Sequence, residues 1–296
     1  MTKEKELIQN QMLSGERALF GKHGLYVKNT IFHDGESPLK ECSDIEIDGC
    51  MFKWKYPLWY AENITARNCT WFEMGRAGVW YTRNMTAEDC AIEAPKNFRR
   101  CHGLTLRRVS FANAAETLWH CDGVVLEQAV ARGDYFLMNS ENVTVDGLTL
   151  YGNYSFDGVK NVVIRNSRLL SKDAFWNSEN VTVYDSFISG EYLGWNARNL
   201  TLVNCTVESL QGMCYVENLT MKHCRTLNTT LAFEYSTVDA DITGKIDSVI
   251  NPAGGTVRAD ELGQLIMEPE RIDPSATEII CRSASPTNDA ENGGDR

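Results

Sequence analysis

Asn180-Val181-Thr182-Val183-Tyr184-Asp185-Ser186-Phe187-Ile188 is one copy of a unit that the chain repeats. The next copy, Asn199-Leu200-Thr201-Leu202, begins 19 residues later. Aligned copies begin at Gly24, Asp44, Asn63, Asn84, Gly103, Gly123, Asn142, Asn161, Asn180, Asn199 and Asn218, in steps of 19, 20 or 21 residues. A fixed period of about 20 residues is typical of a solenoid, so the repeat decides the architecture.

The pattern inside each unit has a period of two. The first and third residues after the repeat start are apolar, as in Val181 and Val183, and the second is often Thr. This alternation of β-branched and polar residues predicts a strand with one buried face. Asn or Asp at the fifth position predicts a bend, because these side chains tolerate left-handed backbone. A second strand follows the bend, and a third, short strand precedes each repeat start.

Three strands per coil predict an all-β fold, a single-stranded right-handed parallel β-helix of about 11–12 coils of 19–21 residues. The handedness follows from the general preference of parallel crossovers. A leucine-rich repeat is the main alternative at this period, but no unit carries its Leu-x-x-Leu-x-Leu-x-x-Asn pattern.

We expect three parts along the chain. Residues 1–22 are predicted to cap the solenoid, with a short helix that begins at Thr2 and carries the apolar side chains of Leu7, Ile8, Met12 and Leu13. Residues 23–270 are predicted to form the β-helix itself. Residues 271–296 are predicted to be a C-terminal tail, with small polar residues at its end that indicate disorder.

Composition excludes several classes of partner. The net charge of −11, with acids and bases interspersed, argues against nucleic acid or an anionic membrane as the main partner. The first residues include no apolar stretch of signal-peptide length, so we expect a cytoplasmic protein.

Eight of the ten cysteines fall on two repeat positions, six residues after a repeat start or two residues before one, and the chain contains no Cys-x-x-Cys pair. This spacing predicts buried thiols that fill the core, and it argues against zinc or iron–sulfur sites. His102 and Asp122 are expected to pair on adjacent coils. They do not converge with Cys101 and Cys121, which should point inward, so no metal site is predicted.

Large side chains recur four residues before each repeat start, at an outward position of the third strand. They are Lys40, Trp59, Trp80, Arg99, Trp119, Met138, Asp157, Trp176 and Trp195, with Tyr60, Tyr81, Tyr135, Tyr154 and Tyr192 beside them. One interpretation is a platform for sugar rings in which the five tryptophans and Arg99 bind substrate. The alternative is a surface covered by long loops, a terminal segment or a second subunit, since large apolar patches often mark protein contacts.

Charged residues cluster beside this stripe in the middle coils. The candidate catalytic residues are Asp134, Asp157, Asp173, Glu191 and Lys172. A lyase acting on uronate sugars needs carboxylates for calcium and a basic residue, whereas a glycosidase needs two carboxylates about 5–9 Å apart. Whether the protein is an enzyme stays open. No cofactor is evident, and calcium is expected only for a lyase.

The Asn-Leu/Val-Thr-Leu/Val-x-Asn/Asp-Cys units resemble the pectate-lyase-like right-handed β-helix superfamily. Within it, the chain is similar to an uncharacterised bacterial family known only as a domain of unknown function. The likeness covers about residues 15–270 and includes the Trp-bearing third strand and the turn from Asn251 to Gly255. Some relatives carry the label "hydrogenase", which the absence of Cys-x-x-Cys pairs does not support. The superfamily implies polysaccharide lyases, hydrolases and esterases, but none of their catalytic motifs can be placed on residues here.

Two hypotheses result from the sequence. The first is a protein that binds or processes an oligosaccharide through the Trp-lined face, as a polysaccharide lyase or glycoside hydrolase if it is an enzyme. The second is a non-enzymatic scaffold or assembly protein whose Trp stripe forms a subunit interface, such as a homodimer.

Overall fold

Each turn of the chain pairs with the next through parallel strands, as shown by a computed structural model that describes residues 5–283. Val181 lies between Val162 and Leu200, each one repeat away. The coils therefore stack in the register that the repeat predicts. The result is an all-β, right-handed parallel solenoid of about 15 turns.

The strands, in chain order, are β1 (Glu6–Gln9), β2 (Met12–Leu13), β3 (Leu25–Lys28), β4 (Ile31–Phe32), β5 (Ser43–Asp48), β6 (Met51–Phe52), β7 (Leu58–Trp59), β8 (Glu62–Arg67), β9 (Thr70–Trp71), β10 (Val79–Trp80), β11 (Arg83–Glu88), β12 (Ala91–Ile92), β13 (His102–Arg107), β14 (Ser110–Phe111), β15 (Asp122–Glu127), β16 (Val130–Arg132), β17 (Glu141–Asp146), β18 (Thr149–Tyr151), β19 (Lys160–Arg165), β20 (Arg168–Leu170), β21 (Glu179–Tyr184), β22 (Phe187–Ser189), β23 (Arg198–Val203), β24 (Thr206–Leu210), β25 (Glu217–Thr230), β26 (Thr237–Ile250), β27 (Gly254–Ile266) and β28 (Thr277–Cys281). A 3-10 turn, Pro274–Ala276, precedes β28.

These strands stack on three sides. The first side runs from β1 through β3, β5, β8, β11, β13, β15, β17, β19, β21, β23, β25, β26 and β27 to β28. The second side stacks β2, β4, β6, β9, β12, β14, β16, β18, β20, β22 and β24 against the later part of β25. The third side is shorter: β7 pairs with β10, and single bridges join Trp80 to Arg99 and Arg99 to Trp119.

The repeat starts are Asn, Asp or Gly because the backbone there is left-handed. Asn180 has a φ of 56° and Gly103 a φ of 69°, a region that costs most residues about 1–2 kcal/mol but suits Gly and Asn. The Asn side chains also form a ladder between coils. Asn180 donates its amide to Asn161 at 3.1 Å, and Asn199 donates to Asn180 at 2.8 Å. The residue at the repeat start therefore turns the backbone at a corner and, where it is Asn, also links adjacent coils by a hydrogen bond.

The inward positions form one continuous core. Rings stack along it, as in Phe32 on Phe52 at 4.9 Å and Phe52 on Trp71 at 4.8 Å. All ten cysteines are free and nine are buried, which confirms the prediction of core thiols. Their S–H groups bond to nearby carbonyls, as when Cys69 donates to the carbonyl of Arg67 at 3.1 Å.

The N-terminal helix prediction is wrong. Residues Glu6–Gln9 and Met12–Leu13 are strands, and Glu6 pairs with Leu25 one repeat later. Leu7 and Met12 belong to the first coil of the described residues, which pairs with the next coil on one side, and they are 51% and 67% exposed. Thr2, the predicted start of the helix, lies outside the described residues.

The solenoid also continues at the C-terminal end. β28 lies inside the predicted tail and pairs with β27, with Thr277 beside Gly255. These end coils account for the turns beyond the 11–12 expected from the repeat. The predicted disorder concerns a segment that, from residue 284 onward, lies outside the described residues. Residues 5–283 contain no helix with the length and hydropathy that a bilayer crossing requires.

Candidate functional site

The outward side chains of the third side lie in one file along the solenoid, which we call the aromatic file. Its members, four residues before successive repeat starts, are Trp59, Trp80, Arg99, Trp119, Met138, Asp157, Trp176 and Trp195. The rings of Trp59 and Trp80 are parallel at 5.1 Å. The guanidinium of Arg99 lies between Trp80 and Trp119, at 4.7 and 4.6 Å from their ring centres. All five tryptophans are half-buried rather than fully exposed.

The indole N–H groups in the N-terminal half of the file are bonded to loops. Trp59 donates to the carbonyl of Ala77 at 2.6 Å, and Trp80 donates to the carbonyl of Lys96 at 2.9 Å. Trp119 donates to the carbonyl of Tyr135 at 2.6 Å. Each bond reaches the loop of the following coil, so these rings are held in place by the solenoid itself.

The C-terminal half of the file opens into a pocket of about 280 Å³. We call it the aromatic pocket, and it is lined by Tyr154, Lys172, Asp173, Trp176, Tyr192 and Trp195. Within residues 5–283, neither Trp176 nor Trp195 donates its indole N–H to a carbonyl as Trp119 does. Within this part of the chain, these two indole N–H groups therefore hold no loop, unlike those of Trp59, Trp80 and Trp119.

Neighbouring loops position the rings of this pocket. Tyr154 lies 6.2 Å from the ring of Trp176 and is nearly parallel to it. Tyr192 meets Trp195 edge-on at 5.7 Å, and Tyr215 packs against the other side of Trp195 at 4.8 Å. Aromatic pairs favour such offset or edge-on arrangements, so these contacts hold the rings of the pocket in place without a ligand.

Asp173 supplies a carboxylate to the pocket and is only 3% exposed. Its backbone has a φ of 55°, which Asp tolerates, and its N–H donates to the carbonyl of Glu191 at 2.8 Å. Burial raises the pKa of the Asp173 carboxyl, although the positive charge of Lys172 and the hydroxyl of Tyr154 act in the opposite direction. The group is thus a carboxylate whose ionised form is disfavoured by its surroundings.

Lys172 forms the charged edge of the pocket. Its ammonium lies 3.2 Å from the carboxylate of Glu191 and 5.1 Å from the ring centre of Tyr192. The hydrogen bond with Glu191 raises the pKa of Lys172. A lysine held in its protonated form can donate hydrogen bonds but is poorly suited to remove a proton. The role of a lyase base, expected for Lys172, is therefore not favoured by this geometry.

The other predicted catalytic residues lie further away. Asp157 occupies the file one coil before Trp176, accepts a hydrogen bond from Asn177 at 3.3 Å and has a pKa raised by burial. Asp134 is exposed and accepts the backbone N–H of Asn153 at 2.8 Å. The structure thus brings Asp173 and Lys172 together with Trp176 and Trp195, and Glu191 joins them through its ion pair. It does not bring Asp134, Asp157, Arg99 or the first three tryptophans of the file into this pocket.

A second pocket was not expected from the sequence. It has a volume of about 370 Å³ and lies at the corner before the first-side strands, with Tyr60, Tyr81, Arg83, Arg100 and His102 among its lining residues. Its signal in the sequence is weak, because the basic residues lie on different coils and become neighbours only in register.

Within the described residues, no group of three or more His, Cys, Asp and Glu side chains is arranged to hold a metal ion. Calcium takes about six to eight oxygen ligands. Asp173 and Glu191 alone do not supply such a set, so the calcium expected for a lyase has no donor cage in the aromatic pocket.

The chain belongs to the family described as "Protein of unknown function (DUF3737)", which matches residues 6–280 and confirms the expected membership. No curated protein matches the chain. A tailspike protein mutant of E. coli bacteriophage HK620, in complex with a pentasaccharide, is 10% identical, covering 93% of this chain and 68% of the tailspike at a TM-score of 0.39. The A-module of mannuronan C-5 epimerase AlgE6 from Azotobacter vinelandii is 13% identical, covering 90% and 91% at a TM-score of 0.36. These likenesses are too low to carry an argument about the site.

Proposed function

We propose that the protein binds an oligosaccharide in the aromatic pocket. One observation carries this proposal: Trp176 and Trp195 line an apolar pocket together with Asp173, and within residues 5–283 their indole N–H groups have no hydrogen-bond partner. The equivalent tryptophans of the N-terminal half use the same N–H groups to hold loops.

The mixture of groups matches the chemistry of a sugar ring. Tryptophan and tyrosine combine a flat apolar face with a polar edge, so they can contact the C–H face of a sugar and its hydroxyls. Asp173 accepts hydrogen bonds from hydroxyls, and Lys172 donates them. A ligand site usually combines apolar walls with a few such placed polar groups. The volume of about 280 Å³ is small, so part of a longer oligosaccharide would lie along the neighbouring file.

If the protein also cleaves its ligand, Asp173 is the strongest candidate for a general acid. Burial favours its protonated form, which is the property that a glycosidase acid requires. A hydrolase needs a second carboxylate about 5–9.5 Å away, and Glu191 and Asp157 are the two nearby candidates. Binding is the primary proposal, and hydrolysis is its catalytic extension.

Isothermal titration calorimetry with a panel of neutral and uronate oligosaccharides tests the proposal. Trp176→Ala and Trp195→Ala should each weaken binding about tenfold or more, because each removes a stacking wall. Trp59→Ala is the matched control, since it removes a tryptophan from the same file position outside the pocket. Its affinity should equal that of the wild type.

Two results would contradict the proposal. One is the absence of binding across the whole panel. The other is an equal loss of affinity in Trp59→Ala and Trp176→Ala. A stable dimer in light scattering that dissociates on Trp176→Glu would instead favour the scaffold hypothesis, in which the same surface contacts a second subunit.

A further inference from the structure

We propose that the second pocket binds the phosphate group of a small phosphorylated ligand. We call it the cationic pocket and define it by Tyr60, Glu62, Tyr81, Arg83, Arg100 and His102. It lies several coils from the aromatic pocket and shares no residue with it. The proposal therefore stands whether or not an oligosaccharide binds the aromatic pocket.

The basic side chains converge because of the coil register. Arg83 on β11 is the direct neighbour of His102 on β13. Arg100 belongs to the same coil as His102 and lies at the corner just before β13. Since adjacent coils are about 4.8 Å apart, these three donors border one space of about 370 Å³.

Arg83 and Arg100 lack the carboxylate partner that several other surface arginines have. Arg107 contacts Glu127 at 2.6 Å, and Arg198 contacts Glu217 at 3.0 Å. Within residues 5–283, neither Arg83 nor Arg100 has a carboxylate within 4.0 Å, although Glu62 is the strand neighbour of Arg83. Within the same residues Arg76 and Arg225 also lack such a partner, but Arg83 and Arg100 border one pocket, where an anion can accept hydrogen bonds from both.

The backbone at Arg100 is left-handed, with a φ of 53°. The same corner is left-handed in other coils, where it carries Glu41, Tyr60, Tyr81, His120, Asn139, Asn177, Asn196 and Tyr215, so the conformation alone does not single out Arg100. Because Asn suits left-handed backbone, Arg100→Asn removes the charged side chain without straining the corner.

A phosphate monoester fits these donors better than a carboxylate does. It carries about −1.5 to −2 charges at pH 7 and three acceptor oxygens. A carboxylate is satisfied by the fork of one arginine, whereas a phosphate can accept from Arg83 and Arg100 together. His102 borders the same space, with its Nδ1 at 3.7 Å from the carboxylate of Asp122 on the next coil, as the sequence predicts. The rings of Tyr60 and Tyr81, stacked at 4.8 Å, also line the pocket. Glu62 can accept a hydrogen bond from a hydroxyl group elsewhere on the ligand.

Calorimetry at low ionic strength with three probes tests the proposal: inorganic phosphate, glucose 6-phosphate and glucose. We expect glucose 6-phosphate to bind and glucose not to bind in this pocket. Arg100→Asn and Arg83→Gln should each weaken binding about tenfold or more, since a hydrogen bond to a charged group contributes about 1.5–3 kcal/mol. Arg100→Asn should keep the wild-type Tm or exceed it, because Asn suits the left-handed corner.

Arg198→Gln is the matched control. It changes an arginine at the same repeat position as Arg83, one residue before a repeat start, but in a distant coil, and it should leave the affinity unchanged. Equal affinities for inorganic phosphate and glucose 6-phosphate would support the site with free phosphate as its ligand. The proposal fails if neither phosphate binds, or if Arg198→Gln weakens binding as much as Arg100→Asn.

Discussion

The two halves of the aromatic file place the same residue type at the same repeat position with different results. In the N-terminal half, Trp119 donates its N–H to the carbonyl of Tyr135, 16 residues later. In the C-terminal half, Tyr192 follows Trp176 by the same number of residues, but there the two side chains line a pocket. Trp119 is bonded to the loop of the next coil, whereas Trp176 lines the aromatic pocket.

The cause of this difference lies in the neighbouring coils. Trp119 has the guanidinium of Arg99 on its face at 4.6 Å, and Arg99 in turn contacts Glu116 at 3.2 Å. Trp176 instead follows Asp157 in the file and stacks loosely on Tyr154 at 6.2 Å. A repeat therefore specifies where a side chain points, but its neighbours one coil away decide whether it is covered.

The largest expected effect is a difference in stability between tryptophan variants in the two halves of the aromatic file. Trp119→Ala removes a half-buried ring, a cation–π contact and a hydrogen bond, so it should lower the free energy of unfolding by about 2–3 kcal/mol. Trp176→Ala should cost about 1 kcal/mol, as is common for a partly exposed residue. Urea titrations followed by circular dichroism measure both. Equal losses in the two variants would show that the halves do not differ as described.

A smaller effect on stability is expected from replacing Arg99, whose guanidinium lies between the rings of Trp80 and Trp119. Arg99→Met introduces the residue found at the same file position at Met138, and it should lower the free energy of unfolding by about 1–2 kcal/mol. The loss comes from the two cation–π contacts and the ion pair with Glu116. Met138→Leu is the control and should be nearly neutral. A neutral Arg99→Met would mean that the Trp80–Arg99–Trp119 stack adds little to stability.

The smallest effect concerns the carboxylate of the aromatic pocket. Because burial raises the pKa of Asp173 in the folded protein, the folded state holds this proton more tightly than the unfolded chain does. Stability therefore falls as pH rises from the unfolded pKa through the folded-state pKa, and the full penalty is present above the folded-state pKa. Asp173→Asn should raise Tm at pH 7, and the gain should vanish below the unfolded pKa of about 3.9.

Thermal unfolding between pH 3.5 and 8 measures this dependence. Asp134→Asn, at an exposed carboxylate, is the control and should show no comparable gain. A lower Tm for Asp173→Asn at pH 7 would show that the ionised carboxylate stabilises the fold.

Much of the fold could be predicted from the repeat. The helix prediction at the N-terminal end failed for a physical reason. The strand β1 is four residues long and β2 is two, so too few alternations are present to distinguish a strand from a helix. The remaining signal in the sequence was the spacing of 19 residues, one repeat, that separates Glu6 from its strand partner Leu25. Within the described residues, this first coil has a neighbour on one side only, so its apolar residues also lack the usual burial.

The candidate site was predictable in part. Trp176, Trp195, Asp173 and Lys172 could be proposed from their repeat positions. Asp134 was grouped with them because it shares a repeat position with Lys172, two coils away. Sharing a position aligns residues along the solenoid, but it does not bring residues two coils apart into one pocket.

The sequence by itself determined the coil register, the inward core and the left-handed corners, because each depends on a local choice that recurs every 19 to 21 residues. Only the tertiary structure decided which outward positions are open. Trp119 bonds to Tyr135, whereas within residues 5–283 the indole N–H of Trp176 and the guanidinium of Arg100 have no such partner, and these differences depend on contacts between side chains and loops of adjacent coils. Those contacts differ between coils that share the same pattern, so no periodicity can show them.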